Sequence, residues 1–593
     1  MSAAQRNVGN LPCELTRFIG RRHEVAETKR CLSLSRLVTL TGVGGVGKTR
    51  LALHAAENVR RAFDDGVWFV ELGELGSPAL VAETVAAALG LREQSSHLTL
   101  TNLQSHLLDR QLLLLLDNCE HLVDAVAVLA SALLKTCPKL RILATSREPL
   151  RIGGEATVRV PPLPVPDSSR PSAAASLAQY DSVALFTERA SRAVPGFAVT
   201  ENNGITIAGI CERLDGLPLP IELAAARIRA MSAQQILDRL TDRYRLLTMG
   251  YRGAPARQQA LRLCIDWSHD LCTSDERRMW GQLAVFAGGF ELDAAEGICA
   301  TVLSPQELLD VIESLVDKSI LIQEHAGKIV RYRLLDTLRD YGLERLRDSD
   351  EYESVRRRHR DWYERLALDA RAGWIGPHQL EWIARLNREQ SNLRDALEYS
   401  LADPTDCESA LRIANAMYLF WRSFGQFNEG RLWFDRVLAP GLTQPTPERT
   451  KGLHAASMLA AAQGDLDTAN ALVKEGRDLA DRFDDSTLRA LFTSAEGFVS
   501  LSGGDNLTYA IECFELAREE FRTGGDRLQE IWALLGLGLA SAHLGDTSRA
   551  IDCQRQVQGI ARRTAMPSIA DGRCGLRRWQ CGGAGSTSRR TTS

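Results

Sequence analysis

Hydrophobic positions along the chain change their spacing at about residue 160 and settle into a long helical pattern after about residue 360. In the first stretch the apolar residues come in short dense runs: Leu37–Thr41, then 112–116 closing on Asp117, then 140–145. Runs of this length bounded by turn residues predict strands buried on both faces, as in a parallel sheet. From 175 the spacing turns helical, with predicted helices at 182–193, 205–214, 221–231, 261–271, 274–286 and 305–318. Two short alternating runs follow, 319–324 and 329–335, around His325, Ala326, Gly327 and Lys328, which predicts a hairpin. The order of elements over 261–346 reads as a winged helix. Between the strand-rich and helical stretches, Pro161, Pro162, Pro164 and Pro166 predict an extended linker.

Beyond Asp361 the pattern is helical throughout and repeats. Gly425, Gly464, Gly504 and Gly545 are 39, 40 and 41 residues apart, and each is followed five or six positions later by a small residue: Gly430, Ala469, Ala510 and Ala550. A turn followed by a small residue where two helices approach is the logic of helical solenoids. The period is longer than the 34 of a strict tetratricopeptide, so the segment is TPR-like; an unrelated helical bundle is the alternative. The Arg356, Arg357, Arg358, His359 and Arg360 run, next to acidic 348–353, reads as a solvated helix face.

Composition adds exclusions. The 593 residues are 45% hydrophobic and 25% charged, with a net charge of −4, which suits a multidomain globular protein and carries no global basic field for nucleic acid. The 13 cysteines form no CxxC pair, and Cys211, Cys264 and Cys299 lie in apolar runs, so reduced core thiols are expected. Neither a signal peptide nor a run long enough to span a membrane is read, which places the chain in the cytoplasm. Only 8 of the 71 basic residues are lysines, so a lysine at a special position stands out.

Lys48 is such a residue. The strand at Leu37–Thr41 leads into Gly42, Val43, Gly44, Gly45, Val46, Gly47, Lys48 and Thr49, a P-loop followed by a helical pattern. Glycines let backbone N–H groups converge on phosphate oxygens, Lys48 reaches the β/γ-phosphates, and the Thr49 hydroxyl holds Mg²⁺. Asp117, at the end of the second apolar run, supplies the metal carboxylate. Asn118 follows it and cannot act as a general base, so hydrolysis is expected to be slow or to use Glu120. Arg147, just past the third strand, is placed to sense a γ-phosphate.

Together with Phe18, Ile19, Gly20 and Arg21, and with Gly216, Leu217, Pro218 and Leu219, these motifs resemble, in order, the NB-ARC branch of the STAND signal-transduction ATPases. The likeness is to large actinobacterial regulators that end in a LuxR-type helix-turn-helix. The resemblance implies that 18–21 flank the adenine, that Pro218 packs on the base, and that the winged helix is a lid sensing nucleotide. The family's Met-His-Asp after the hairpin is here Leu334, Leu335 and Asp336, so the His contact to ADP is not carried over.

The expected architecture is multidomain α/β + α: a P-loop NTPase parallel sheet, a helical domain, a winged helix and a C-terminal TPR-like α-solenoid. Its parts are an extension at 1–15, the nucleotide domain at 16–160, the linker at 161–174, the helical domain at 175–250, the winged helix at 255–350 and the repeats at 360–565. Residues 566–593, with Cys574 and Cys581, read as a disordered or aberrant tail, and no C-terminal helix-turn-helix is found. The expected function is an ATP/ADP switch with Mg²⁺, slow hydrolysis, a protein or small-molecule signal at the repeats, and a homo-oligomer on activation. DNA binding, if any, maps to the winged helix. A TPR-like adaptor with a vestigial ATPase and a P-loop metabolic enzyme are the alternatives.

Overall fold

Five parallel strands form the sheet: β1 (Leu37–Thr41), β2 (Val67–Glu71), β3 (Leu113–Asp117), β4 (Arg141–Ser146) and β5 (Glu155–Arg159), in the order β2-β3-β4-β1-β5. The computed structural model describes residues 9–12, 16–73, 75–91, 99–166, 174–248, 256–299, 303–326, 329–403, 407–439, 445–504 and 506–564. β1 and β3 are buried at every position, hence their unbroken apolar sequences. β2 and β5 lie at the two edges and are only partly buried, so VWFVE and EATVR give a weaker signal; neither was predicted. β4 lies between β1 and β3 and sets Thr145 opposite Leu40. Helices α1 (Arg22–Leu34), α2 (Lys48–Val59), α3 (Val81–Ala88), α4 (Thr99–Leu107) and α5 (Val123–Thr136) accompany the sheet. Cys31 and Leu32 of α1 and Leu51, Ala52 and Ala56 of α2 pack on Val38, Leu40, Leu113, Leu115 and Leu143.

The chain divides into two compact units, Met1–Gly90 with Leu100–Arg356, and Leu91–Thr99 with Arg357–Ser593. In the first unit the described part of the linker is pinned down. The Val160 N–H donates to Thr41 O at 2.7 Å, Leu163 N–H to Gly216 O at 2.8 Å, and Ser182 Oγ to Pro164 O at 2.7 Å. A Cβ on Gly216 would lie 2.1 Å from Leu163 O, and its φ is 66°, so the close approach requires glycine there. Residues 167–173 of the predicted linker lie outside the described residues.

The helical domain comprises α6 (Ala174–Leu177), α7 (Asp181–Ala193), α8 (Gly204–Arg213), α9 (Pro218–Ala226) and α10 (Ala233–Thr248). Then come α11 (Ala256–Asp270), α12 (Ser274–Leu283), α13 (Leu292–Cys299), α14 (Pro305–Asp317), the hairpin β6 (Leu321–Ala326) and β7 (Ile329–Leu334), and α15 (Asp336–Arg347). Capping boxes at Thr273/Glu276 and Ser304/Glu307 start α12 and α14. Trp280 is buried in this core and donates its indole N–H to Leu338 O at 3.0 Å.

In the second unit α16 (Tyr352–Ala372, divided between the units at Arg356), α17 (Gln379–Arg388) and α18 (Gln390–Ala402) precede four helix pairs. These are α19 (Cys407–Phe424) with α20 (Phe427–Val437), α21 (Pro447–Ala462) with α22 (Leu466–Ala480), α23 (Ser486–Gly503) with α24 (Leu507–Gly524), and α25 (Arg527–His543) with α26 (Thr547–Arg563). Gly425, Gly464, Gly504 and Gly545 sit at the turn inside each pair with φ of 70°, 75°, 75° and 85°. A Cβ on Gly430 would lie 2.7 Å from Leu459, and Ala469 and Ala510 are fully buried.

One expectation is overturned here. Arg357 is exposed and Arg356 and Arg358 are half-buried, but His359 and Arg360 are 0% and 6% exposed, so the second part of the run is not a solvated face. His359 lies 3.7 Å from Asp395, and Tyr363 donates its hydroxyl to buried Glu389 at 2.9 Å, a polar network under the helix that a count of charges does not reveal. The ten described cysteines are buried, and no disulfide joins any of them to another described residue. Burial pushes the Cys211 and Cys264 thiols up to about 12. Among the described residues no helix is long and apolar enough to cross a membrane.

Candidate nucleotide site

Strand β1 ends at Thr41, and the loop that follows turns through Gly45 (φ 72°) and Gly47 (φ 89°) into the first turn of α2. Positive φ at both positions is what lets the loop fold round an anion at a helix N-terminus. Lys48 Nζ donates to Gly42 O at 2.9 Å and to Val43 O at 3.3 Å, which holds the ammonium over the loop. Burial depresses its proton affinity, opposed by the charge of Glu120.

Across the sheet, Asp117 closes β3 and is 4% exposed. Thr49 Oγ1 donates to its two oxygens at 2.8 and 3.0 Å, and Thr145 Oγ1 to Oδ1 at 2.6 Å. Burial raises the carboxyl, the two hydroxyls pull it down, and the charges of Asp336 and Glu120 add to the rise. Among the described residues no cationic side chain pairs with Asp117. A buried carboxylate with a hydroxyl beside it and no protein counter-ion is a donor set that fits Mg²⁺.

Asn118 adopts φ 62°, its N–H donates to Thr145 Oγ1 at 2.9 Å, and its side-chain amide donates to Asp336 Oδ2 at 2.7 Å. The start of α15 therefore reaches the end of β3. Thr337 lies at the loop as well, 3.8 Å from where a Cβ on Gly44 would be. The helical domain closes on the same loop. Leu219 N–H donates to Gly45 O at 3.3 Å, and Pro218 Cγ lies 3.9 Å from a Cβ built on Gly47.

Arg147 Nε donates to Glu120 Oε1 at 2.9 Å, so the two residues read separately from sequence meet each other. The second Glu120 oxygen is buried without a partner. Phe18 stacks on His54 with ring centres 4.2 Å apart, beside half-buried Ile19. Arg21 is 4% exposed and its two terminal nitrogens donate to Val46 O at 2.7 Å and Pro161 O at 2.9 Å. Its N–H donates to Asp181 at 3.0 Å, and a Cβ on Gly20 would lie 2.1 Å from that carboxylate.

A family model described as "AAA domain" matches residues 32–152. "Putative HTH-type transcriptional regulator Rv0890c" of Mycobacterium tuberculosis is 38% identical over 581 residues, covering 89% of this chain and 63% of that protein. "Uncharacterized protein Rv0894" of the same organism is 39% identical over 361 residues, covering 60% of this chain and 88% of that protein. The fold is similar to the crystal structure of a Signal Transduction ATPase with Numerous Domains (STAND) protein with a tetratricopeptide repeat sensor, PH0952 from Pyrococcus horikoshii. That likeness has a TM-score of 0.50 at 14% identity and covers 94% of this chain and 79% of that one. The chain belongs to the family of these mycobacterial proteins. It spans 63% of the length of the first relative it matches.

Three residues that position the candidate site of this chain were not singled out from sequence: Thr145, Asp181 and Asp336 in its contact with Asn118. Thr145 carries a faint signal, a polar residue at the end of an otherwise apolar run. Asp181 and Asp336 carry none, because their partners lie 160 and 218 residues away.

Proposed function

We propose that this chain is an ATP/ADP-operated signal-transduction switch serving transcriptional regulation in the cytoplasm. The observation that carries the reading is the Asn118–Asp336 hydrogen bond at 2.7 Å. It fastens the winged-helix domain to the residue after the metal carboxylate, where a change of nucleotide would be felt. In this reading Gly42, Gly44, Gly45, Val46, Gly47 and Lys48 hold the phosphates, and Thr49 and Asp117 hold Mg²⁺. Phe18, Ile19, Gly20, Arg21 and Pro218 frame the base end. Bound Mg²⁺·nucleotide supplies a phosphoryl group open to attack by water. The residues present favour slow attack: Asn118 is no base, and Glu120 is engaged by Arg147. The repeats receive a protein or small-molecule signal and bias the closed and open states, with a homo-oligomer forming on activation.

The winged helix acts as a lid and not as a DNA reader. Helix α14, which precedes the hairpin, carries Glu307, Asp310, Glu313 and Asp317 and no basic residue, a charge that opposes a phosphate backbone.

Calorimetric titration of the purified chain with ADP and with Mg²⁺·ATP tests the site. Micromolar or tighter binding is expected, and Lys48→Ala should abolish it; undiminished binding in the variant refutes the site. The Arg147–Glu120 pair favours one second reading, an adaptor that binds nucleotide without turning it over. Single-turnover hydrolysis separates the two: slow cleavage that Glu120→Gln reduces supports the switch, and none at all supports the adaptor.

A further inference from the structure

In the second unit the first helices of the pairs form a row, α19 on α21, α21 on α23 and α23 on α25. Arg422 on α19 nevertheless reaches α25. Its Cζ lies 4.0 Å from the ring centre of Trp532 and 5.2 Å from that of Phe498 on α23, and its Nη1 donates to Tyr418 Oη at 2.6 Å. The row therefore curves until its first and fourth members share one interior. His454 of α21 lies in that interior, 6% exposed, with Tyr418 and Phe492 set edge-on to its ring at 6.3 and 6.1 Å. No hydrogen bond joins its ring nitrogens to another described group. Arg371 of α16 donates to Asn415 O at 2.8 Å nearby.

The charges in this interior do not balance. Among the described residues neither Arg422 nor Arg371 has a carboxylate at ion-pair distance. Glu448, the acid within reach of Arg371, is engaged by Lys451 at 2.7 Å and by the Asn415 amide at 2.9 Å. Burial, with the charges of Arg422 and Arg371, pushes His454 down to about 3, so it stays neutral and offers no negative charge. Two guanidiniums partly withdrawn from water want an anion, and ring faces compensate only in part. Arg422 spends one nitrogen on Tyr418, which leaves its other edge for a planar pair of oxygens.

We propose that this interior binds a small aromatic carboxylate, its two oxygens on Arg422 and Arg371 and its ring among Phe492, Phe498 and Trp532. The assignment rests on the sensor reading of the repeats and names the class of signal they take. His454 is the neutral partner that completes the carboxylate's hydrogen bonds.

Calorimetric titration of the full chain with phenylacetate tests it, with 2-phenylethanol as the neutral analogue and inorganic phosphate as the compact anion. The expected result is saturable binding of phenylacetate at millimolar or lower concentration, at least tenfold weaker in Arg422→Gln and in Arg371→Gln. Far-UV circular dichroism checks each variant, and if Arg422→Gln loses helix, Arg371→Gln carries the test. Any of four results overturns the proposal: no saturation, equal binding of 2-phenylethanol, equal binding of phosphate, or unchanged affinity in the folded variants. ADP titrated in parallel reports on the P-loop alone, so failure of the nucleotide switch and failure of this site are told apart.

Discussion

Arg21 shows how far a motif position can mislead about what a side chain touches. It lies in the segment whose resemblance implies a base contact, yet both terminal nitrogens are occupied by backbone carbonyls, one of them in the phosphate loop. What it holds is the shape of the loop, through Val46 O, and a lysine could not reproduce the fork. His454 makes a residue-scale prediction with a definite sign. Its folded value of about 3 lies below the unfolded 6.5. Between those values the unfolded chain binds the extra proton, so stability falls as pH drops through the window. Between about pH 7 and about pH 5 the loss from this residue is about 2 kcal/mol. Urea unfolding of the full chain at the two pH values should show His454→Phe losing less stability on acidification by about that amount; identical pH slopes would contradict it.

At the scale of elements, what was legible depended on burial. Strands β1 and β3 lie inside the sheet and announce themselves as apolar runs, whereas β2 and β5 at the edges do not. Helix α13 was missed because eight residues with two alanines and a glycine give little periodicity. The repeat was legible through its turn glycines, since only glycine meets the positive φ there without strain. The loop residues of the candidate site were equally plain, but the contacts that close the helical and winged-helix domains on them join residues far apart in sequence. Asn118 with Asp336 is the contact to test. A hydrogen bond to a charged group is worth about 1.5–3 kcal/mol, and this one is exposed, so the low end applies, roughly a tenfold change in a rate it limits. Asp336→Ala should release a fluorescent ADP analogue faster by that factor in stopped-flow displacement, and Asn118→Ala added to it should bring little more. Additive effects of the two substitutions would show that they do not act through one bond.

The whole molecule is two compact units with separate cores, and that division makes each ligand's effect local. A ligand that binds only the folded form stabilises the unit that holds it, by about 2.7 kcal/mol at a hundredfold excess over its dissociation constant. Calorimetric unfolding of the full chain should resolve two transitions, because the cores of separate units need not melt together. Saturating Mg²⁺·ADP should raise the midpoint of one, and Lys48→Ala should erase that rise while leaving the other transition where it was. Phenylacetate should raise the other, through Arg422. A switch adds a further requirement. If the signal at the repeats biases the nucleotide site, the dissociation constant of ADP must change when the repeats are filled, and by reciprocity that of phenylacetate must change by the same factor when ADP is bound. Two titrations, each repeated with the other ligand saturating, measure that factor from both directions. A factor of one in both would leave two binding units and no switch.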